Sequence, residues 1–204
     1  MTLAGIAAYL FGSYLLGAVP FGLIFAKFMG GVDVRAIGSG NIGATNVLRG
    51  AGKTAALLTL LADVLKGLIP VLLAARIFSD DTITALCGIA AILGHNFPVY
   101  LRFKGGKGVA TSFGVVLAVA PWTGLVCLLT WAAAAAVWRY SSLAALVAFA
   151  FYPLITFSFH GDSRPLSMLS LFVFGLMYFR HRDNIKRLLT GTESKIGQKA
   201  VPEV

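Results

Sequence analysis

Apolar residues occupy long segments of the chain, and short polar, glycine-rich segments separate them. Each apolar segment is near the ~20 residues that an α-helix needs to cross roughly 30 Å of membrane hydrocarbon. The pattern predicts an all-α bundle of transmembrane helices, about seven spans, in a single domain over residues 1–204, with 193–204 as a flexible tail. The predicted helices cover residues 3–29, 54–77, 83–102, 108–120, 122–138, 142–159 and 165–180.

The segments around Pro121 and at the N-terminus each allow a second interpretation. The fourth and fifth segments are short and are separated only around Pro121, so five spans is the alternative count if this region is re-entrant or partly buried in protein. The first segment has no basic residues before it, and its apolar run exceeds the about 7 to 15 residues of a signal-peptide core. We therefore expect it to remain in the mature protein as a helix.

The composition is that of a membrane protein. Hydrophobic residues make up 58% of the chain and charged residues 12%, and the mean hydropathy is +0.84, outside the range of ordinary soluble domains. Cys87 and Cys127 both fall in apolar segments, where a thiol acts as a small hydrophobic group, and their spacing suits no metal site. We expect no disulfide, metal or cofactor, and no nucleic-acid partner.

Lysine and arginine residues are shared unevenly between the loops. If the N-terminus lies outside and the span count is odd, nearly all of them face the cytoplasm, as the positive-inside rule requires. The opposite loops carry Asp80, Asp81 and Asp162, with only Arg76 and Arg164 as cations. The cations predicted to be cytoplasmic are Arg35, Arg49, Lys53, Arg102, Lys104, Lys107, Arg139, Arg180, Arg182, Lys186, Arg187, Lys195 and Lys199.

These basic loops have a simple interpretation, which is that they set the topology and contact anionic lipid head groups. However, the same loops are rich in glycine, and their cations alternate with Ser, Thr, Asn and His. All of them also face one compartment in the predicted topology. We therefore expect the loops to form one site.

Residues 35–54 read RAIGSGNIGATNVLRGAGKT and contain two partial nucleotide-binding motifs. Gly38, Gly40 and Gly43 spell G-x-G-x-x-G, but that motif needs a strand–helix–strand unit, and here it lies between two membrane spans. The P-loop spacing requires a glycine five positions before Gly52, where Val47 stands. Neither nucleotide interpretation holds, and the residue types favour a small phosphorylated ligand.

Residues 94–111, GHNFPVYLRFKGGKGVAT, form the second polar cluster. Its glycines allow successive backbone N–H groups to face one centre, as in an anion-binding nest, and its lysines add positive charge. A flexible tight turn is the alternative, although a turn alone needs neither lysine. The residues that carry the anion-binding interpretation are His95, Asn96, Lys104, Gly105, Gly106, Lys107, Gly108 and Thr111.

The third cluster is RHRDNIKRLLTGTESK, residues 180–195, directly after the last predicted span. Arg180, His181, Asn184 and Arg187 follow the spacing i, i+1, i+4, i+7, so a continuing helix directs much of the group toward one place. A basic anchor beside the membrane is the alternative. It is the stronger interpretation for Lys186, Lys195 and Lys199.

Asp63 and Lys66 lie one helical turn apart inside the second predicted span, where an unpaired charge is costly. As an i, i+3 pair they can neutralise each other. We expect a structural role for them, bracing the bundle beneath the loops. His160, beside Asp162, is interpreted as an ordinary loop histidine.

The segments GSGNIGATNV, GHNFPVYLRFKGGKGVAT, HRDNIKRLLTGTE and the mid-span DVLKG together resemble the bacterial acyl-phosphate:glycerol-3-phosphate acyltransferase family, over nearly the whole chain. The resemblance implies an integral enzyme of the bacterial inner membrane that begins phospholipid synthesis. It implies transfer of a fatty acyl group from acyl phosphate to the 1-hydroxyl of glycerol 3-phosphate, giving lysophosphatidic acid and inorganic phosphate. The H-x4-D motif of other glycerophosphate acyltransferases is absent, as expected for this family.

The resemblance also assigns roles to residues. Those implied for glycerol 3-phosphate and catalysis are Ser39, Arg49, Lys104, His181 and Asn184, and those near the acyl-phosphate head group are Lys104, Gly105, Gly106, Lys107 and Gly108. Gly40, Asn41, Thr45, Asn46, His95, Asn96 and Thr111 complete the predicted substrate site, and Asn41, Thr45 and Asn46 are expected to orient glycerol hydroxyls. The acyl tail is expected to lie between spans, in the lipid. Whether His181 acts as a base or only binds the substrate stays open.

A membrane transporter for a phosphorylated solute is the alternative function. Transporters place their substrate groups near the bilayer midplane, often between internal repeats. In this sequence only Asp63 and Lys66 are deep, and no convincing repeat is present. A non-enzymatic lipid-binding protein is a third possibility, but it has no need for three separate polar clusters.

Overall fold

The computed structural model describes residues 2–198, and within this range the chain is helical and contains no β-strand, which confirms the predicted all-α fold. The helices are α1 (Leu3–Ala18), α2 (Phe21–Gly30), α3 (Ala44–Gly50), α4 (Gly52–Phe78), α5 (Asp81–Asn96), α6 (Val109–Val119), α7 (Pro121–Trp138), α8 (Ser141–His160), α9 (Arg164–Arg180) and α10 (Arg182–Leu189). Short 3-10 turns occupy Val34–Ala36 and Val99–Leu101. Lys199 and the end of the predicted tail lie outside the described residues.

The first predicted helix, 3–29, is wrong in one respect: it is two helices, α1 and α2, separated at Val19 and Pro20. Proline has no N–H to donate to the carbonyl four residues earlier, and it drives the preceding residue out of the helical region. Val19 accordingly has ψ 120° and ends α1. The carbonyl of Val19 is thereby left free of α1, and Lys66 Nζ donates to it at 2.9 Å.

Five segments are long and apolar enough to cross a membrane, by length and composition: Leu3–Gly30, Gly52–Phe78, Asp81–Leu101, Pro121–Trp138 and Ser141–His160. At 1.5 Å per residue the short α6 is only about 16 Å long, roughly half of the hydrocarbon thickness. Much of α6 is also buried in protein, from Thr111 to Val116. These two facts favour the alternative interpretation of the region around Pro121, and the count of seven spans stays a prediction.

Glycines allow the central helices to approach closely. A Cβ at Gly114 on α6 would overlap the carbonyl oxygen of Val64 on α4, and one at Gly67 on α4 would overlap that of Thr111 on α6. Small residues are common at helix contacts in membranes, because packing rather than a hydrophobic driving force holds such helices together. The contact between α4 and α6 fixes the position at which the second polar loop enters the bundle.

One side of α4 faces away from the bundle and is apolar. Leu57, Leu61, Leu65 and Leu72 are exposed on this side. The opposite side of α4 is buried and carries the charged pair of Asp63 and Lys66. A surface helix in water would bury these leucines and expose the charges. The observed distribution is therefore that of a helix whose outer face contacts lipid.

Candidate active site

The three polar clusters of the sequence meet at one end of the bundle. Hydrogen bonds link Arg180 to the loop after α5, and Arg49 of α3 to the tail at Ser194. Thr45 Oγ1 lies 3.2 Å from Ser141 Oγ at the start of α8. The prediction that the loops are neighbours is therefore met by the geometry of the fold.

Asn46 organises the first loop. Its Nδ2 donates to the carbonyl oxygens of Val34, Ile37 and Asn41 at 2.8, 3.1 and 2.9 Å, and its Oδ1 accepts the N–H of Ser39 at 3.1 Å. The side chain is buried and fully occupied by these bonds. The expectation that Asn46 orients a glycerol hydroxyl therefore requires correction, because its polar atoms hold the loop itself.

The loop that Asn46 holds leaves Ser39 at the surface. Gly38 and Gly40 on either side have φ +54° and +65°, the left-handed region that glycine adopts readily. A Cβ at Gly38 would lie 2.5 Å from Asn46 Oδ1, so this glycine is also needed for the close approach of the amide. The Ser39 side chain is exposed and is free to meet a ligand.

The second loop differs from the predicted nest at Gly106. The N–H of Gly106 donates to the His95 carbonyl at 3.1 Å and so is not available to an anion. Arg180 Nη2 donates to the carbonyl oxygens of Gly105 and Gly106, both at 2.9 Å, and clamps this side of the loop. The N–H groups that remain suited to an anion are those at the start of α6, which follows Gly108 at φ +82°.

Three residues predicted to bind substrate lie beneath the second loop. His95, Asn96 and Thr111 are all buried. The His95 ring faces Gly106, and the Asn96 amide faces Gly108, because a Cβ at either glycine would collide with those side chains. His95 and Asn96 therefore support the loop from below, and their contact with substrate stays a prediction.

Glu193 joins the third polar cluster, which the sequence does not predict because residues 193–204 are expected to form a flexible tail. Its Oε1 accepts from Ser142 Oγ and from Asn184 Nδ2, both at 2.6 Å, and its Oε2 accepts from Arg187 Nε at 2.7 Å. Burial alone would raise the pKa of this carboxyl, but these three hydrogen bonds outweigh it and lower the pKa. The turn at Gly191, φ +70°, brings the carboxylate back onto α10.

Lys107 lies among several cations. Burial, opposed by Glu193 and assisted by Arg187, Arg180 and Arg49, lowers its pKa to about 8. Burial likewise lowers the pKa of Arg49. Four cations around one carboxylate leave an excess of positive charge at this end of the bundle, which we call the cation cluster: Arg49, Lys107, Arg180 and Arg187.

Lys104 is not part of the cation cluster. It is exposed and lines a shallow cavity with Arg35, Tyr100, Leu101 and Arg102. The family resemblance assigns Lys104 to both substrates and Lys107 only to the acyl-phosphate head group. The structure brings Lys107, and not Lys104, close to the groups of the third polar cluster.

His181 is buried at the junction of α9 and α10. Its Nδ1 lies 2.9 Å from the Met177 carbonyl oxygen, and because a carbonyl can only accept, Nδ1 carries the proton. Burial and the nearby Lys107 lower the pKa of His181 to about 4. The imidazole is therefore neutral near pH 7, with an unprotonated Nε2 that can accept a hydrogen bond.

Several polar atoms near the cation cluster are buried without a hydrogen-bond partner among residues 2–198. Besides Arg49 Nε and Asn184 Oδ1, they include both amide atoms of Asn96 and the hydroxyls of Thr111 and Ser112. Asn184 uses its Nδ2 on Glu193, and Arg49 donates from Nη2 to the Ser194 carbonyl at 3.3 Å. Buried polar groups are normally paired, so each of these atoms is suited to a ligand.

Comparison with known proteins gives consistent results. The family model described as "Glycerol-3-phosphate acyltransferase" matches residues 7–191. A curated glycerol-3-phosphate acyltransferase of Dinoroseobacter shibae is 50% identical over 199 residues, which are 98% of this chain and 94% of that protein. One of Jannaschia sp. is 51% identical over 196 residues, covering 96% and 94%.

Two solved structures are also similar. Both are crystal structures of PlsY (YgiH), an integral membrane glycerol 3-phosphate acyltransferase, one in its glycerol 3-phosphate form and one in its lysophosphatidic acid form. The TM-scores are 0.89 and 0.87 at 42% identity, over 95% of this chain and 96% of each of those chains.

Proposed function

The chain belongs to the glycerol-3-phosphate acyltransferase family, and we propose that it transfers a fatty acyl group from acyl phosphate to the 1-hydroxyl of glycerol 3-phosphate. The products are lysophosphatidic acid and inorganic phosphate, and the reaction belongs to phospholipid synthesis. The glycerol 3-phosphate and lysophosphatidic acid forms of PlsY support an acceptor and a product of these kinds.

The observation that carries the proposal is the cation cluster. Its members lie in α3, in the second loop, at the end of α9 and in α10. Although these segments are distant in the sequence, their positive charges are close enough to repel one another. Two phosphorylated substrates bring several negative charges together, and cations from separate segments can stabilise them jointly. A transporter has no need for such a group at one end of the bundle. The deep charges, Asp63 and Lys66, are instead paired with each other at 2.7 Å.

Glycerol 3-phosphate is proposed to bind with its phosphate at Arg49 and Lys107. The unpartnered Nε of Arg49 supports this assignment, as does the exposed hydroxyl of Ser39 in the neighbouring loop. Asn184 Oδ1 is suited to accept from a glycerol hydroxyl, because Glu193 fixes the other end of the amide. Thr45 and Asn41 remain candidates for further contacts in the same loop.

Acyl phosphate is proposed to bind with its phosphoryl group at the start of α6. The free N–H groups and the positive end of the helix dipole favour an anion there, and Lys107 lies two residues before the helix begins at Val109. The acyl chain is proposed to extend between helices toward the lipid. Exposed apolar side chains on the outer face of α4 support such a lipid contact.

The chemical step is proposed to be direct attack. The glycerol oxygen bonds to the acyl carbon, the bond from that carbon to the phosphate oxygen breaks, and phosphate leaves with the electron pair. Because the donor is already activated, positioning and charge stabilisation can supply much of the catalysis. His181, with a pKa of about 4, is a weak base, so a phosphate oxygen takes the proton of the attacking 1-hydroxyl. His181 Nε2, which can only accept, binds the 2-hydroxyl of glycerol 3-phosphate and orients the acceptor.

No acyl-enzyme is needed in this scheme. A covalent route requires a nucleophile with a base in hydrogen-bond reach. Cys87 and Cys127 are buried in helices, and Cys87 lies 3.1 Å from Ser13 Oγ, which is no base. Ser39 Oγ remains the first candidate to examine if a covalent intermediate is found.

The site is proposed to face the cytoplasm, with the N-terminus outside. The basic residues at one end of the bundle support this orientation through the positive-inside rule. Single cysteines, Ser39→Cys and Lys195→Cys, in a background lacking Cys87 and Cys127 should react with an impermeant reagent only from the cytoplasmic side. Asp81→Cys should react only from outside, and labelling of positions 39 and 81 from the same side would contradict the orientation.

The test of the proposed function uses purified protein, acyl phosphate and labelled glycerol 3-phosphate. The proposal expects labelled lysophosphatidic acid that forms only when both substrates are present. Sealed vesicles containing the protein should not accumulate labelled glycerol 3-phosphate when acyl phosphate is absent. Accumulation without acylation would instead support the transporter alternative.

A further inference from the structure

A buried ionic group lies directly beneath the second loop. Lys66 Nζ is 2.7 Å from Asp63 Oδ1, and both side chains are almost completely buried, at 2% and 3% exposure. His95 Nδ1 is 3.7 Å from the same carboxylate oxygen. Neither charge can reach water, so the carboxylate has Lys66 on one side and the imidazole on the other.

The other edge of the His95 ring supports Gly106. A Cβ at Gly106 would overlap His95 Nε2 and lie 2.9 and 3.0 Å from Cε1 and Cδ2, so the three nearest atoms all belong to this ring. The Gly106 N–H also donates to the His95 carbonyl at 3.1 Å. The loop therefore rests on His95 through both its backbone and its imidazole.

We propose that His95 is a positioning residue. Its ring, held from below by Asp63 and Lys66, fixes the position of the segment Gly105–Gly108 and thereby the position of Lys107. The inference rests on the proposed function, since it assigns the segment to phosphate binding. The Asp63 carboxylate lies on the Nδ1 side of the ring at 3.7 Å, beyond hydrogen-bond distance, so it holds the imidazole by charge and packing in the buried site. A buried ion pair often adds little to the free energy of unfolding, but it can fix a local geometry.

The same group also reaches the first loop. Lys66 Nζ donates to the Val19 carbonyl at 2.9 Å, at the break between α1 and α2. Helix α2 leads directly into the loop that carries Ser39. The chain of contacts from Val19 through Lys66, Asp63 and His95 to Gly106 thus connects the supports of both loops. A misplacement of about 1 Å can cost roughly 10²-fold in rate.

A double-mutant cycle tests the contact between ring and loop. His95→Asn keeps an amide where Nδ1 stands and removes Nε2 and Cε1, the two atoms nearest to the methyl group of Gly106→Ala. Gly106→Ala alone should lower kcat/KM by about 10²-fold, and His95→Asn alone by at least about tenfold. In the His95→Asn background, Gly106→Ala should cost far less than in the wild type, because the methyl group occupies the vacated space.

Gly105→Ala is the matched control. A Cβ at Gly105 would collide with the His95 carbonyl oxygen, the Asn96 carbonyl oxygen and Pro98 Cδ, none of which His95→Asn removes. Gly105→Ala should therefore lower kcat/KM by the same factor in both backgrounds. Equal costs of Gly106→Ala in both backgrounds would overturn the proposal.

The ionic support is tested separately by the double variant Asp63→Leu, Lys66→Met. Replacing both partners leaves no unpaired buried charge, so the protein should still fold. The folded variant should show a raised KM for a phosphate substrate, and the same rise is expected for His95→Asn. A lowered Tm with unchanged kcat and KM would show that Asp63 and Lys66 only stabilise the fold, and this would overturn the proposal.

Failure of the inference can be distinguished from failure of the proposed function. If the wild type transferred no acyl group to glycerol 3-phosphate, the proposed function would fail. The cycle of His95→Asn and Gly106→Ala, read by Tm, would still test the contact. Additive changes in Tm would then overturn the proposed support of the loop by the ring.

Discussion

Replacement of Lys107 by alanine removes one of the four charges of the cation cluster. Loss of a charge-assisted hydrogen bond costs about 1.5 to 3 kcal/mol, which corresponds to roughly tenfold to more than a hundredfold in kcat/KM. The matched control is Lys104→Ala, which removes an exposed lysine from the same loop. The family resemblance assigns Lys104 to catalysis, whereas the structure leads us to expect the larger loss from Lys107→Ala.

The pH dependence adds a second measurement. The pKa of Lys107 is held at about 8 by burial and by the neighbouring arginines, so the residue is mostly protonated at pH 7 and loses its charge as the pH rises through 8. Since the cation is the active form, kcat/KM at limiting glycerol 3-phosphate should fall above about pH 8. Lys107→Arg should remove this alkaline limb, because a guanidinium stays protonated.

Initial rates on purified protein, with both substrates varied and the folded fraction checked by Tm, measure both effects. Near-normal activity of Lys107→Ala, together with loss of activity in Lys104→Ala, would refute the argument from the cation cluster. It would restore Lys104 as the phosphate ligand that the sequence predicted.

Further predictions concern three other residues. His181→Gln should raise KM with little change in kcat, and the wild-type kcat should show no acid limb near pH 6.5; a loss of about 10²- to 10⁴-fold in kcat would instead identify a base. Glu193→Gln should lower kcat/KM. It should also move the alkaline limb to lower pH, because the carboxylate raises the pKa of Lys107. An unmoved limb would contradict this charge interaction between Glu193 and Lys107. Asn46→Ala should lower Tm, since it removes the hydrogen bonds that Asn46 Nδ2 donates to carbonyl oxygens of the first loop, at about 1 kcal/mol each. An unchanged Tm would contradict this role.

Helices and loops could be predicted from the sequence because membrane solvation imposes long apolar segments. Charge and glycine content then identified the polar segments between them. The break at Pro20 was missed because proline is tolerated in membrane helices, as Pro70 and Pro153 show inside α4 and α8. The residues around Pro20, Pro70 and Pro153 do not indicate that only Pro20 separates two helices.

The roles of individual polar residues were harder to predict. Asn46 and His95 have side chains that suit a ligand, but the fold uses them to hold loops, and this depends on contacts distant in sequence. Lys104 and Lys107 are separated by two glycines, and only the turn between them decides which one faces α10. Glu193 follows a glycine turn, so its return to Asn184 required the conformation of Gly191.

The most direct test of the account is phosphate release from acyl phosphate by the purified wild-type protein, with and without glycerol 3-phosphate. Direct transfer predicts one phosphate per lysophosphatidic acid formed, no burst of phosphate from acyl phosphate alone, and intersecting double-reciprocal lines. A stoichiometric burst without glycerol 3-phosphate, with parallel lines or an acyl group that remains on the denatured protein, would contradict the account.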